Sequence, residues 1–388
     1  MKSQINLAID GNEANVENRV GSNVYAFEVL SELERQTRKN SSINSIILLT
    51  THPHADMPSQ RPGWKYRVIR PAFLWTQWAL PRYLYAHKNE FNLFFTPGHY
   101  APRNSPVPYV SSVMDLAFLS HPSYFTLKDR LQLKYWTKYS VENAKKILTI
   151  SEASKKEIIS RFGRSSKDII VGYPAVTEKP KLSADEAEKI CKRLGAKQPF
   201  ILSIGTLQPR KNLIRLIEAF EIVVRREAAS PPKATRKKPA PLPISLVLAG
   251  KQGWMAEPII ERIKKSPYAD RILLTGFVDD SEKWALLERA KVTAVVGLAE
   301  GFGIPALEAL QAGSIPVVSN ISSLPEVVGS AGVLIDPTNS LNMADGLWKG
   351  MTLTARERAV YRRKAREQCK TFSWKETVEK ILEALLNS

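Results

Sequence analysis

Two parallel, doubly wound α/β sheets are what this sequence predicts. Short apolar, β-branched runs recur along the whole chain, stretches of helical periodicity separate them, and the runs fall into two sets of about six. Such strand–helix alternation buries each strand on both faces under helices, the arrangement of a parallel sheet. A length of 388 residues gives room for about two domains of this kind, each with its own core.

The first set comprises Ile5–Ile9, Ile46–Thr50, Arg67–Ile69, Leu93–Phe95, Tyr109–Val113 and Ile147–Ile150. The second comprises Phe200–Ile204, Leu246–Leu248, Ile272–Leu274, Thr293–Val296, Pro316–Val318 and Val333–Ile335. Between them Gly172–Glu186 contains Pro174 and Pro180 and reads as the linker, which gives domains at 1–175 and 186–372. A basic, Pro-rich stretch at 228–243 cannot build a packed element and reads as a surface insertion in the second domain. The amphipathic C-terminal segment 374–388 is a helix that can pack back on the first domain.

Composition narrows the class. Hydrophobic residues make up 44% and charged residues 24%, ordinary for a globular chain. The two cysteines, Cys191 and Cys369, form no metal or redox spacing and are too few for a disulfide framework, which points to a reduced, cytoplasmic setting. The first apolar run is too short for a signal peptide, and no window approaches the roughly 20 apolar residues of a membrane span. The net charge of +18 is compatible with a phosphate-rich substrate, an anionic membrane surface or a general solubility bias. No recognition motif accompanies it, so nucleic acid is not an expected partner.

In open α/β sheets ligands bind beyond the carboxyl ends of the strands, so the residues after each strand carry the functional information. After Ile204 comes Gly205-Thr206-Leu207-Gln208-Pro209-Arg210-Lys211-Asn212. Its adjacent cations, a planar fork and a compact ammonium, suit a diphosphate, although a solvated basic turn has the same composition. After Val296 comes Glu300-Gly301-Phe302-Gly303-Ile304-Pro305-Ala306-Leu307-Glu308. Pro305 suits the first helical position, the glycines let a ligand approach the backbone, and the helix start attracts an anion. Glu300 falls in the loop and Glu308 in the first helical turn, where the helix dipole alone could account for it. After Leu274 comes Gly276-Phe277-Val278-Asp279-Asp280, in which Asp279 and Glu282 have capping-box spacing.

These motifs resemble those of the retaining nucleotide-sugar glycosyltransferases of family 4, which have the GT-B fold. The resemblance rests on Arg210-Lys211-Asn212, on Glu300 and Glu308 eight positions apart, on Ser319-Asn320-Ile321-Ser322-Ser323-Leu324-Pro325-Glu326-Val327, and on Phe372-Ser373-Trp374. It covers most of the C-terminal half and, more loosely, Ile9-Asp10-Gly11 and Val20-Gly21-Ser22. The pattern is most similar to bacterial mannosyltransferases of surface-polysaccharide assembly.

The resemblance implies two Rossmann-like domains facing across a cleft and a metal-independent transfer with no cofactor, the co-substrate being a nucleotide-diphosphate sugar. It implies that Arg210 and Lys211 hold the diphosphate beside Gly205. Glu300 takes hydroxyls of the donor sugar with the backbone of Gly301, Phe302 and Gly303, and Glu308 takes the ribose. It further implies that Val278 and Asp280 lie at the base, where a carboxylate would favour a GDP-sugar over a UDP-sugar. Gly21 would admit the phosphates from the first domain, and Asp115 would lie near the reacting carbon. The sequence departs from the family in carrying Met114 where many members have histidine, Thr206 where many have arginine, and Val296-Gly297 where Pro-Ser is common. The expected acceptor is a glycan or a lipid-linked sugar. Two stretches, Trp75–Lys88 and Lys128–Lys138, interleave aromatic and basic residues, either as core stripes with solvated flanks or as a peripheral anchor on an anionic membrane. Other enzymes of the same fold, an epimerase or a glycogen-synthase-like transferase, and a non-catalytic donor-binding subunit are the alternatives.

Overall fold

The computed structural model describes residues 5–38, 42–98, 100–176, 179–229 and 243–387, and most of the insertion expected at 228–243 lies outside them. The chain forms two compact units, one of Met1–Pro174 with Ser373–Ser388 and one of Ala175–Phe372.

The first unit holds a seven-stranded sheet: β1 (Ile5–Asp10), β2 (Ile43–Leu49), β3 (Trp64–Val68), β4 (Leu93–Thr96), β5 (Tyr109–Val113), β6 (Lys146–Thr149) and β7 (Ile169–Val171). Its order is β3-β2-β1-β4-β5-β6-β7, with every pairing parallel. One apolar cluster joins the helices Leu80–Ala86, Leu127–Asn143 and Glu152–Phe162 to the strands through Leu80, Leu84, Val141 and Ile158. The C-terminal helix Trp374–Leu386 belongs to this unit and packs on the helix Ser22–Thr37. There the Trp374 ring meets Tyr25 edge-on at 5.5 Å, and the Tyr25 hydroxyl donates to Gly172 O at 3.0 Å.

The second unit holds β8 (Phe200–Ile204), β9 (Ser245–Ala249), β10 (Ile272–Gly276), β11 (Val292–Val295), β12 (Ile315–Ser319) and β13 (Val333–Ile335), in the order β10-β9-β8-β11-β12-β13 and again all parallel. Two separate apolar clusters line the sheet. The helices Leu213–Ala229, Glu257–Lys264 and Ser340–Thr352 share one, and Ala184–Leu194, Asp280–Arg289 and Ile304–Ala312 share the other. Each unit is therefore the doubly wound sheet the strand–helix alternation predicts, and together they are the two Rossmann-like halves of a GT-B fold.

Several boundaries differ from the expected ones. β2 begins at Ile43 and β3 at Trp64, ahead of the apolar runs at 46 and 67, because Asn44, Ser45 and Lys65 interrupt hydrophobicity without interrupting the ladder. The second unit starts at Ala175 and not at 186, since Val176 and Leu182 already pack on its core and a Ser183–Glu186 capping box starts its first helix. β11 ends at Val295, one residue early.

Candidate active site

In the second sheet the strand order reverses between β8 and β11, and the turns after these two strands lie side by side. Arg210 and Lys211 stand in a single 3-10 turn, Pro209–Lys211, and not directly at the start of the long helix, which begins at Leu213. Asn212 ends that turn in the left-handed conformation, φ 59°, which asparagine tolerates better than most residues. Its buried amide donates to Val296 O at 3.1 Å and to Pro337 O at 2.7 Å. Leu298 N also donates to Arg210 O at 2.9 Å. The cationic turn is thus sewn onto the loop that carries Glu300.

The Glu300 side chain is only 7% exposed and accepts from Lys211 Nζ at 2.6 Å, with Arg210 Nη1 at 3.9 Å from its other oxygen. Burial pushes the Glu300 carboxyl up, but the Lys211 ammonium and then the Arg210 guanidinium outweigh it and hold the group below the ordinary carboxylate range. Gly297 makes room for this contact: a Cβ there would lie 2.8 Å from Glu300 Oε1 and 3.2 Å from Arg210 O. The Val296-Gly297 departure noted in the sequence therefore has a local geometric reason. Ser323, whose hydroxyl lies 2.8 Å from Phe302 O and 3.0 Å from Glu300 O, and Ser319, which donates to Gly297 O at 2.8 Å, fix the loop from behind.

The loop ends at Gly303, φ 95°, where a Cβ would sit 2.4 Å from Leu324 Cδ2. The helix Ile304–Ala312 starts there without a side-chain cap. Pro305 takes its second position, and Glu308 lies in its second turn, so the expectation of a first-turn glutamate is corrected and the dipole does not explain it. Glu308 is buried, and its partner is Lys283, whose Nζ lies 2.9 Å from Glu308 Oε1 and 3.0 Å from Asp280 Oδ1. Burial raises the Glu308 carboxyl above the usual range, and Lys283 offsets only part of that. Lys283 was missed from sequence, since 25 positions separate it from Glu308 and its spacing from Asp280 reads only as a surface pair.

Asp279 caps the helix Asp280–Arg289 in a complete capping box with Glu282. Asp280 is the first residue of that helix, and Val278 packs partly on the core beneath it. Gly205, φ 141°, follows β8, and a Cβ there would meet Lys211 Cε at 3.5 Å. Structure therefore gathers Gly205, Arg210, Lys211, Glu300, Gly301, Phe302 and Gly303 around one corner, with Glu308, Lys283 and Asp280 grouped beside the same helix start.

Gly21 and Asp115 belong to the first unit. Gly21 precedes the helix Ser22–Thr37 with φ 54° and ψ −115°, a backbone conformation that suits glycine alone. Asp115 follows β5 and accepts from Ala117 N at 3.0 Å, which ties its side chain to the turn ahead of the short helix Ala117–Ser120. Burial, then the charges of Asp115 and Glu13, push the nearby Tyr100 hydroxyl up to about 12.

Residues 185–368 match the family described as glycosyl transferases group 1. This stretch is a group 1 glycosyltransferase domain. The O-antigen chain mannosyltransferase B of Escherichia coli is 29% identical over 330 residues, 82% of this chain and 78% of that one. The serotype-specific mannosyltransferase WbdA of the same organism is 30% identical over 251 residues, 62% of this chain but only 29% of that longer protein. Among solved structures, Anabaena Alr3699/HepE in complex with UDP-glucose superposes with a TM-score of 0.73 at 16% identity, over 99% of this chain and 100% of that one. WaaG, a glycosyltransferase involved in lipopolysaccharide biosynthesis, gives 0.65 at 13%, over 97% and 98%. The transferase domain contains every second-unit residue of the candidate site.

Proposed function

We propose that the chain is a retaining, metal-independent hexosyltransferase of family 4. In this reading it moves mannose from GDP-mannose to a glycan or lipid-linked acceptor in surface-polysaccharide assembly. One observation carries the reading: a buried carboxylate flanked by two cations at the switch point of a doubly wound sheet, beside an uncapped helix start. The mannosyltransferase relatives support the sugar.

The chemistry follows from the charges that must be stabilised. Cleaving the anomeric bond leaves negative charge on the diphosphate, and Arg210 with Lys211 and the helix-start amides would meet it already oriented. Glu300, kept ionised by those cations, would accept from two vicinal hydroxyls of the donor sugar and fix the ring for attack on the face the diphosphate leaves. Glu308 would take the ribose hydroxyls. Asp280 and Lys283 together offer an acceptor and a donor, which matches the N1–H, N2–H and O6 pattern of guanine. Product analysis tests this: mannose transferred with its anomeric configuration kept supports it, while a free epimer or no turnover would contradict it. A donor-binding subunit without turnover is a second reading, favoured only by Met114, and the same assay separates the two.

Localisation belongs to the proposal as well. Among the described residues no helix is long and apolar enough to cross a membrane. The helix Leu127–Asn143 leaves Leu127, Leu131 and Tyr135 exposed by 64%, 58% and 48% at four-residue spacing, beside exposed Lys128, Lys134 and Lys138. This outward apolar ridge between lysines supports a cytoplasmic enzyme held peripherally on an anionic membrane. Flotation with anionic vesicles at low salt tests it.

A further inference from the structure

One motif of the sequence, Phe372-Ser373-Trp374, has no part in the scheme above. Its last two residues serve the first unit: the Ser373 hydroxyl accepts from Glu376 N at 3.5 Å at the start of the helix Trp374–Leu386, and Trp374 meets Tyr25. Phe372 closes the second unit, and its ring meets that of Phe302 edge-on, with centroids 5.4 Å apart and planes at 82°. Aromatic pairs favour this arrangement, which sets the positive rim of one ring against the negative face of the other. Phe302 is 2% exposed and sits between Gly301 and Gly303 in the loop that carries Glu300.

A glycine on each side leaves the backbone around Phe302 with few restraints of its own, so packing must supply them. Ser323 pins the carbonyl oxygens of Glu300 and Phe302, and the position of the Phe302 ring then decides how the amides of the loop are presented. Phe372 is itself held in a tight turn. Past the helix Ala355–Cys369, Lys370 N donates to Glu367 O, Thr371 N to Gln368 O and Phe372 N to Cys369 O, at 3.2, 3.1 and 3.2 Å. Gln368 Nε2 donates to Glu326 O at 2.9 Å, and Gly329 leaves room for that side chain, since a Cβ there would lie 2.6 Å from Gln368 Oε1. Glu326 belongs to the short helix Leu324–Val328, whose Leu324 is the side chain that Gly303 accommodates. The contacts close a circuit, from Phe302 through Phe372, Gln368, Glu326 and Leu324 back to Gly303. Packing of this kind fixes a glycine-flanked loop that its own backbone leaves loose.

We infer that Phe372 is a positioning residue for the donor sugar: through Phe302 it sets the backbone of the Gly301–Gly303 loop. This rests on the glycosyltransferase reading, in which that backbone and Glu300 hold sugar hydroxyls while Arg210, Lys211, Glu308 and Asp280 hold the nucleotide. Loss of the Phe372 ring therefore reaches the sugar and spares the nucleotide. The test uses the full chain with GDP and GDP-mannose, in titration calorimetry and steady-state transfer. Phe372→Ala lowers kcat about tenfold, because small displacements at the reacting centre are costly. It also weakens GDP-mannose relative to GDP and leaves the Kd of GDP unchanged. Phe372→Tyr, which keeps the ring, keeps most of the rate. Phe372→Leu, which keeps most of the bulk, shows the same split at smaller amplitude should the alanine variant fail to fold. In a Phe302→Leu background Phe372→Ala costs little more, because the residue it acts through has already lost its ring. Full activity in Phe372→Ala, weakening of GDP in step with GDP-mannose, or multiplying losses in the double variant each overturns the inference. A wild type that transfers from no nucleotide sugar, with GDP-mannose still weakened relative to GDP in Phe372→Ala, overturns the function reading alone. A wild type that binds neither nucleotide overturns both.

Discussion

Replacing Lys211 by methionine removes the ammonium that faces Glu300 while keeping the length and packing of the side chain. The Glu300 side chain is 7% exposed and that of Lys211 17%, so little solvent is at hand to replace the lost partner. Taking one member from a buried pair costs about 3–5 kcal/mol, and Arg210, still 3.9 Å away, places this case at the lower end, about 3 kcal/mol. For a unit of this size that corresponds to a fall of roughly 6–12 °C in the melting midpoint. The sign of the pH dependence also changes. In wild type the Glu300 pKa is depressed, so its contribution is fully present above the ordinary carboxylate value and is lost as pH falls through the folded value. In Lys211→Met burial dominates and lifts the folded pKa above the unfolded one, so the deficit grows as pH rises and narrows towards about pH 4. Calorimetry of wild type, Lys211→Met, Glu300→Gln and the double variant between about pH 5 and 8 reads all of this, and the double variant recovers much of the loss because no charge is left stranded. A Lys211→Met midpoint within 1 °C of wild type at every pH would refute the reasoning.

Four further outcomes follow from the same geometry. Gly297→Ala, whose Cβ displaces the Glu300 carboxylate, lowers the transfer rate by about 10²-fold in steady-state kinetics while the melting midpoint changes little. Gly250→Ala drives a Cβ into Gly205 O and destabilises by about 3 kcal/mol in chemical unfolding. Glu308→Gln weakens donor binding by roughly 10–100-fold in calorimetric titration, and wild-type affinity falls as acidification protonates Glu308, whose folded pKa lies above the usual range. Leu131→Glu abolishes vesicle flotation and shifts stability by no more than about 0.5 kcal/mol, since the side chain is exposed.

The fold was legible because buried parallel strands need uninterrupted apolar runs, and such runs mark twelve of the thirteen strands. β7 is the one strand not read, although its run Ile-Ile-Val is as long and as apolar as that of β13. The charged corner was legible wherever function required residues close in sequence: Arg210 with Lys211, or the glycines around Phe302. Pairings across the fold were not. Nothing near Glu308 in the chain announces Lys283, and nothing near Gly297 announces that a carboxylate will rest on it. The Asp279 capping box was readable from its spacing and forms as read. The position of Glu308 was misread by one residue, enough to carry it from the first turn into the second, because the left-handed cap at Gly303 starts the helix at Ile304 and not at Pro305.

The account stands or falls on whether Arg210 and Lys211 hold a nucleotide diphosphate in concert with Glu300. A thermal-shift titration of wild type and Lys211→Met with GDP, UDP and GDP-mannose measures this directly, because saturating ligand at a hundredfold excess over Kd stabilises by about 2.7 kcal/mol. GDP-mannose raising the wild-type midpoint by several degrees, UDP raising it less and Lys211→Met responding to neither is the predicted result. Equal stabilisation of wild type and variant by GDP-mannose would contradict it.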